Sequence, residues 1–333
     1  RSHLDIGRRV VEGLKPGFSQ IGSVWLPLPH ILMAPTIWND FMWHSGLSGA
    51  LISMISFVGI GVIMVLYLKK LKVGLVGQIT GALVFALNLN TLYLQSTAMT
   101  EMLLLATLMM SSYELLQWHQ ENKIVFLIKS AFWVMLASLI RYEGWFLFFH
   151  ILILVIIQTW RKKGGKSVQG VVLFYCTLAG LGVFLWLLWN LVIFKDPRYF
   201  ALGEYSARTQ QKQMEAAGQL PTKSNPALSL YVYTLASMFN IGTFTFALGV
   251  IGGVVLVLDK KYSISERLST TTLLSPFIFN VIALTLGHSV LFLQGISGDT
   301  WFNVRYGIML LPSIAIWIGY LVHRWRSIRF VII

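Results

Sequence analysis

Apolar runs about as long as a membrane-spanning helix recur along nearly the whole chain. A helix needs ~20 consecutive, mostly apolar residues to cross a bilayer. The chain is 56% hydrophobic and only 12% charged, whereas roughly a quarter of a soluble domain is charged. The sequence therefore predicts one all-α domain over residues 1–333, a polytopic bundle of about nine transmembrane helices. The predicted spans are 46–68, 73–88, 102–117, 124–140, 144–160, 168–194, 231–258, 270–287 and 306–323.

Basic residues are concentrated in every second loop between these spans. Loops with such an excess of Lys and Arg face the cytoplasm. The net charge of +13 therefore indicates membrane sidedness rather than nucleic-acid binding. The first external loop, 1–45, and the long external loop, 195–227, would then lie outside a plasma or inner membrane, together with the acids and arginines available for chemistry. The predicted cytoplasmic residues are Lys69, Lys70, Lys72, Lys123, Arg161, Lys162, Lys163, Lys166, Lys260, Lys261, Arg267, Arg324, Arg326 and Arg329.

The first thirty residues are polar and charged, unlike nearly everything after them. Apolar residues recur at helical spacing from Leu4 to Leu14, which predicts a short amphipathic helix. Two prolines before His30 then favour an extended, rigid path. A loop this constrained is expected to position a water-facing site.

The sequence begins with Arg1, on the side that the charge pattern places outside. We therefore expect a preceding span or a cleaved signal. The chain also stops in an apolar run at 330–333, so we expect it to be a fragment at both ends.

Three polar stretches on the predicted external side carry candidate site residues. Glu101 begins an apolar helix, either as a carboxylate at the positive end of the dipole or as a functional acid. Arg141 and Glu143 interrupt an apolar run, either as a surface pair or with the arginine gripping a phosphate through its planar fork. Arg305 stands at a helix start, where a cation gains nothing from the dipole, so an anionic partner is expected.

The segment 195–225 is the largest external excursion. It contains a polar, Gln-rich helix predicted over 204–217. Loops of this length are often lids or binding elements, although a solvated hairpin is the simpler alternative.

Several of these stretches together resemble the C-type (GT-C) membrane glycosyltransferases, the superfamily of protein O-mannosyltransferases and lipid A aminoarabinose transferases. Ile6-Gly7-Arg8-Arg9-Val10-Val11-Glu12-Gly13 resembles the family's first external loop. Trp25-Leu26-Pro27-Leu28-Pro29-His30 is similar to the proline-containing segment that follows it. Asn303-Val304-Arg305-Tyr306, with Pro312, resembles the family's late Arg-Tyr motif.

The resemblance implies a GT-C-like fold and transfer of a monosaccharide from a polyprenyl-phosphate-linked donor to a hydroxyl of a protein, lipid or glycan. A carboxylate would take the acceptor proton, and cations would stabilise the departing phosphate. Counting along the family's first loop places the main base upstream of Arg1. Asp5, flanked by Arg1 and Arg9 at helical spacing, has an alternative role in surface ion pairs. The candidate catalytic acids are Glu101 and Asp5, and the candidate donor-phosphate and substrate-binding residues are Arg8, His30, Arg141, Tyr142, Glu143, Arg305 and Tyr306.

No cofactor is certain for this chemistry, and a divalent metal is an open alternative. His3, Asp5, His30, His44 and Glu101 could converge, although their spacing forms no recognised ligand motif.

A transporter or lipid-carrier flippase is the main alternative function. Such a protein has ionisable residues or broken helices near the bilayer midplane. The polar residues within the predicted spans are chiefly Gln78, Lys129 and Asn190. Convergence of Glu101, Arg141 and Arg305 in an outward cavity would favour the enzyme, and a central polar pathway would favour transport.

Overall fold

The computed structural model describes residues 1–325, apart from the side chains of Lys163 and Gln210. Arg326, Arg329 and the apolar end 330–333 lie outside the described residues. The predicted all-α fold is confirmed for the described part. Its helices are α1 (Ser2–Val11), α2 (Leu28–Ile37), α3 (Asp40–His44), α4 (Leu47–Lys70), α5 (Leu75–Ala86), α6 (Leu89–Gln95), α7 (Glu101–Glu121), α8 (Ile124–Ser138), α9 (Glu143–Lys163), α10 (Gly165–Phe194), α11 (Tyr199–Leu202), α12 (Ala207–Ala216), α13 (Pro226–Ile241), α14 (Thr243–Leu258), α15 (Ile264–Thr271), α16 (Ser275–Thr285) and α17 (Leu311–Arg324), with 3₁₀ helices at Phe18–Ile21, Thr272–Leu274 and Val304–Leu310.

Five helical stretches in residues 1–325 are long and apolar enough to cross a membrane. They are α4, the first twenty residues of α9, α10, the continuous stretch Ile264–Thr285 and the stretch Val304–Arg324. Two bent pairs raise the number to seven if each is one span: α5 with α6, bent by 63°, and α13 with α14, bent by 110°. Helices that could span a membrane are therefore present, while the predicted number of nine is not confirmed.

Three of the predicted spans differ from the observed helices for local physical reasons. The predicted span 124–140 is the 15-residue helix α8, which is about 22 Å long and shorter than the ~30 Å hydrocarbon core. The predicted span 102–117 belongs to α7, which carries Glu114 and ends at Glu121. The predicted span 231–258 is divided at Gly242, whose φ of 92° ends α13 and turns the chain.

The helix α17 lies at the centre of the bundle, and 89% of the apolar part of Val304–Arg324, which it forms together with the preceding 3₁₀ helix, is buried. Small residues let α5 and α14 approach its backbone closely. A Cβ added to Gly77 would lie 2.3 Å from the carbonyl oxygen of Gly319, and one added to Gly252 would lie 2.4 Å from that of Trp317. These contacts explain why glycines occur inside apolar helices here.

The helix α7 connects two ends of the bundle that differ in charge. At its start, Glu101 meets Arg141 and Arg305, and residues 1–45 cover this end, which we call the carboxylate end. At its C-terminal end, Glu121 contacts Lys70 and Lys123, and the following Asn122 contacts Lys162. We call this the lysine end. Tyr262, next to Lys261, joins the lysine end through a hydrogen bond to the carbonyl of Leu71. Basic loops that are separate in the sequence therefore meet in space.

Candidate functional site

Glu101, Arg141 and Arg305 converge at the carboxylate end, although more than two hundred residues separate the first from the last. Arg305 Nε donates a hydrogen bond to Glu101 Oε1 at 3.0 Å. Arg141 Nη1 lies 3.6 Å from the same oxygen. The side chain of Glu101 is only 1% exposed. The three residues singled out in the sequence thus form one buried ionic cluster.

The loop before Glu101 is held by α4. Ser53 Oγ donates to the carbonyl oxygens of Thr97 and Met99, at 2.7 and 3.1 Å. Gly49 allows this loop to approach, because a Cβ there would lie 2.3 Å from the side chain of Ala98. The position of the carboxylate is therefore set by the polar and small residues of α4.

Arg141 is positioned by the tight turn between α8 and α9. A Cβ on Gly144 would lie 2.3 Å from the carbonyl carbon of Ala137, so only glycine permits the two helices to meet this closely. Within the turn, Arg141 Nη2 bonds Glu143 at 2.9 Å, and Nε contacts the same carboxylate at 3.2 and 3.3 Å. Arg141 Nη1 also donates to Thr100 Oγ1 at 3.3 Å. The fork of Arg141 is thus occupied by protein groups.

Arg305 is held by the 3₁₀ helix Val304–Leu310, which packs on α13. Asn240 Nδ2 donates to the carbonyl of Val304 at 2.7 Å, and Tyr233 Oη donates to that of Tyr306 at 2.8 Å. A Cβ on Gly307 would lie 2.3 Å from the carbonyl of Ala236, so glycine is needed for this contact. These bonds fix the backbone on both sides of Arg305.

Both guanidinium groups lie over the ring of Tyr306, Arg141 at 4.9 Å and Arg305 at 5.0 Å from its centre. Such cation–π contacts orient the two cations and keep them close despite their like charge. Tyr306, predicted as a binding residue, therefore organises the cluster.

Burial and charge act in opposite directions on the cluster. Burial alone would raise the pKa of Glu101, but the charges of Arg141 and Arg305 outweigh it and hold that pKa below its ordinary value. Burial alone would lower the pKa of Arg141, but the carboxylates of Glu143 and Glu101 hold it above its ordinary value. Both groups are therefore charged at neutral pH.

Two parts of the cluster have no partner among the described residues. Glu101 Oε2 is buried and accepts no hydrogen bond. Arg305 is 37% exposed, and only its Nε donates within the protein, so both of its terminal nitrogens are free. The first group can accept a hydrogen bond from a hydroxyl, and the second can bind an anion through its planar fork.

The N-terminal segment is attached over this cluster by backbone contacts. Tyr142 Oη donates to the carbonyl of Val24 at 2.9 Å, and Trp189 Nε1 donates to that of Gly22 at 3.2 Å. The amide of Leu28 bonds the carbonyl of Leu139 at 3.0 Å. Tyr142, another predicted binding residue, thus holds the covering loop through its hydroxyl.

His3 and His30 form a buried pair, with His3 Nδ1 3.1 Å from His30 Nε2. Burial lowers the pKa of His3 to about 4, against the opposing charge of Glu101, and it lowers the pKa of His30 to about 3. Both rings are therefore neutral at pH 7. His30 Nδ1 is buried without a partner.

Arg8 and Asp5 contact other groups than the cluster. Arg8 bonds the carbonyls of Ile37 and Trp38 and the carboxylate of Asp40. Its fork therefore ties α1 to the following helices. Asp5 accepts a hydrogen bond from Trp43 Nε1 at 3.3 Å and lies 4.0 Å from Arg1.

Thr100, Tyr233 and Asn240 complete the site, although they were not predicted from the sequence. Asn240 could have been identified from the sequence, because an amide side chain inside an apolar run requires a hydrogen-bond partner. Tyr233 carries none, since an aromatic residue in such a run is ordinary.

In residues 1–325, no group of three or more His, Cys, Asp or Glu side chains is arranged to hold a metal ion. His3 and His30 meet, but neither Asp5 nor His44 joins them. The possible divalent metal of the sequence analysis therefore has no ligand set in this part of the chain.

Comparisons of the chain with protein-family models, with curated proteins and with solved structures find no match. The functional argument accordingly depends on the geometry of the ionic cluster.

Proposed function

We propose that this protein is a membrane glycosyltransferase, which moves a monosaccharide from a polyprenyl-phosphate-linked donor to an acceptor hydroxyl at the carboxylate end, on the extracytoplasmic face. One observation carries the proposal: the free oxygen of Glu101 lies on the carboxylate that Arg305 binds, and the side chain of Arg305 is 37% exposed. A hydroxyl acceptor and an anionic leaving group would therefore bind side by side. The apolar helices supply the surface that a lipid-linked donor requires.

In the proposed reaction, the acceptor oxygen attacks the anomeric carbon of the donor sugar. The bond from that carbon to the phosphate oxygen breaks, and the electron pair remains on the phosphate, where Arg305 stabilises it. Glu101 Oε2 accepts a hydrogen bond from the acceptor hydroxyl and orients it. By the resemblance, the hydroxyl proton passes to the aspartate expected upstream of Arg1.

Arg141 has a positioning role in this proposal. Its fork is bonded to Glu143 and Thr100, so it is not available to grip a phosphate. Its charge instead keeps Glu101 ionised and its ring contact orients Tyr306.

A transporter is favoured by one feature, the two broken helix pairs. Their polar ends, however, bond each other: Asn88 Nδ2 and Asn90 Nδ2 both donate to the carbonyl of Asn240. Asn240 in turn supports Arg305 through Val304. The breaks thus have a role in building the ionic cluster, which favours the enzyme.

The two functions differ in what happens to the donor. Membranes that carry the full-length protein should release polyprenyl phosphate from a candidate sugar donor and glycosylate an added acceptor. Membranes without the protein are the control. Movement of the intact donor across sealed vesicles, without release of polyprenyl phosphate, would replace the proposal with transport.

A further inference from the structure

A small, mostly apolar cavity lies at the lysine end, far along α7 from Glu101. Its walls include Trp118 and Asn122 at the end of α7, Gln158, Thr159 and Lys162 on α9, and Val171 on α10. Its volume is about 40 Å³. A water molecule needs roughly 10–15 Å³ by this measure, so the cavity has room for two or three groups of that size.

The cavity contains buried polar groups with no partner. Gln158 and Thr159 are each only 2% exposed. Both amide atoms of Gln158 and the hydroxyl of Thr159 lack hydrogen bonds within the described chain. Leaving such groups buried and unsatisfied is unfavourable, so a ligand that bonds to them is expected.

Lys162 places a positive charge at this cavity. Its ammonium donates to Asn122 Oδ1 at 2.6 Å and to the carbonyl of His119 at 3.0 Å. An ammonium has three donors, so one remains. Of the acids near this end, Glu121 is already bonded to Lys70 and Lys123. Glu266, whose charge acts on Lys162, already accepts hydrogen bonds from Gln120 Nε2 and the amide of Ser263. The cavity therefore favours an anion.

An exposed apolar stripe begins at the same place. Ile124, at the start of α8, lines the cavity and is exposed, as are Ile128 and Phe132. These residues stand at i, i+4 and i+8, which places them on one face of the helix. A ligand with its anionic group at Lys162 can therefore lay a hydrocarbon chain along α8.

We propose that this cavity binds the headgroup of an anionic phospholipid that carries both a phosphodiester and hydroxyls. Lys162, the amide nitrogen of Gln158 and the hydroxyl of Thr159 bond the phosphate oxygens. Gln158 Oε1 can only accept, so it takes a headgroup hydroxyl. One acyl chain lies along the stripe that starts at Ile124. Basic pockets between membrane helices bind anionic headgroups on these grounds. This site is independent of the proposed transferase reaction.

The test measures which lipid the purified full-length protein retains. In nanodiscs of equal parts phosphatidylglycerol and phosphatidylcholine, native mass spectrometry should find phosphatidylglycerol retained by the wild-type protein. The double variant Gln158→Leu with Thr159→Val should retain it at least about tenfold less, because it loses two bonds to a charged group. Lys162→Ala should also lose it.

The matched control residues, Lys166, Gln169 and Thr177, are exposed and lie on α10. Gln169→Leu with Thr177→Val, and Lys166→Ala, should retain the lipid as the wild-type protein does. Lipid-free samples of the Gln158 and Thr159 variant should melt at or above the wild-type temperature, since unsatisfied buried groups have been removed.

Three results would overturn the proposal. Equal retention of phosphatidylcholine would show that neither the net negative charge nor the hydroxyls of the headgroup are recognised, and equal binding of free glycerol 3-phosphate would show a soluble ligand instead of a lipid. Unchanged retention by the double variant would show that only water occupies the cavity. Arg305→Ala should leave lipid retention intact, so the two proposals fail separately.

Discussion

The carboxylate end and the lysine end both contain ion pairs between helices, but they hold them in different environments. At the carboxylate end, Glu101 is 1% exposed and shares its oxygen with two arginines. At the lysine end, Glu121 is 30% exposed and pairs with two lysines at the surface. Buried charges are costly unless they are paired, whereas exposed pairs contribute little. The comparison shows that burial, more than the number of charges, distinguishes a candidate site.

From the loop charges, we predict that the two ends face opposite sides of the membrane. Single cysteines at Lys166 and Lys261, in a background with Cys176→Ser, should be protected from an impermeant thiol reagent in intact cells. A cysteine at Lys212, on the exposed face of α12, should be labelled. Gln211 is an unsuitable reporter because it is buried. Labelling of the lysine-end cysteines from outside would reverse the proposed sidedness.

Replacing the central acid at each end should show how much each set of ion pairs contributes to the free energy of unfolding. Glu101→Leu leaves Arg305 without its carboxylate and should lower the free energy of unfolding by about 3 to 5 kcal/mol. Glu121→Leu should lower it much less, because the pairs of Glu121 with Lys70 and Lys123 lie at the surface. Thermal or denaturant unfolding in detergent measures both. Equal losses would show that the burial difference has no energetic consequence.

The two ends can also be compared by the rate of polyprenyl phosphate release, with Arg305 replaced at the carboxylate end and Arg267 at the lysine end. Arg305→Ala should reduce release of polyprenyl phosphate about thirty- to a thousandfold, since one charge-assisted contact to the leaving group is worth about 2 to 4 kcal/mol. Arg305→Lys should stay impaired, because an ammonium lacks the planar fork. Arg267→Ala, at the lysine end, should retain wild-type turnover. Near-normal turnover for Arg305→Ala would remove this residue from the mechanism.

The glycines at the two ends should respond to alanine in opposite directions. Gly144→Ala forces a Cβ against backbone at Ala137 and should destabilise the protein by about 1 to 3 kcal/mol. At Gly170, on the part of α10 near the lysine end, nothing lies within 4 Å of an added Cβ. Gly170→Ala should therefore stabilise the helix by about 0.5 to 1 kcal/mol. Melting temperatures of the two variants check this, and a stable Gly144→Ala protein would contradict the close approach of α8 and α9.

The smallest effect concerns acid pH and the N-terminal segment. The pKa of His3 is about 4 in the folded protein and 6.5 when unfolded, so the unfolded segment binds the proton first. The stability that neutral His3 contributes is present above pH 6.5 and is lost as the pH falls towards 4. The pKa of Glu101 is held below its ordinary value, so this carboxylate takes up its proton at a lower pH than an ordinary Glu does.

Hydrogen exchange in α1, corrected for the intrinsic rate, should therefore rise between pH 6.5 and 4. His3→Asn should reduce this rise, and His3→Asn with His30→Asn should flatten it, because the pKa of His30 is also lowered, to about 3. His119→Asn, at the lysine end, should leave the rise unchanged. A rise that persists in the double variant would assign it to another group.

The loop charges predict the membrane side of Glu101, Arg141 and Arg305, and the helical class of the described residues could be predicted, because apolar length reports directly on a membrane environment. Their mutual contact could not, because it depends on the turns at Gly144 and Gly307 that let helices touch. For Arg8, the sequence suggested a binding role that the contacts of this residue do not support. It stands in a family-like motif, yet nearby carbonyls and Asp40 occupy its fork, and local spacing does not reveal such partners.

The central position of α17 has a consequence for how the chain is made. A ribosome delivers α17 after every other described helix, so the glycine faces of α5 and α14 have no partner while the earlier segments enter the membrane. Until then, Gly77 and Gly252 present small-residue surfaces to lipid or to assembly factors. Truncation before residue 311 should accordingly leave a set of inserted but unassembled helices, exposed to quality-control proteolysis.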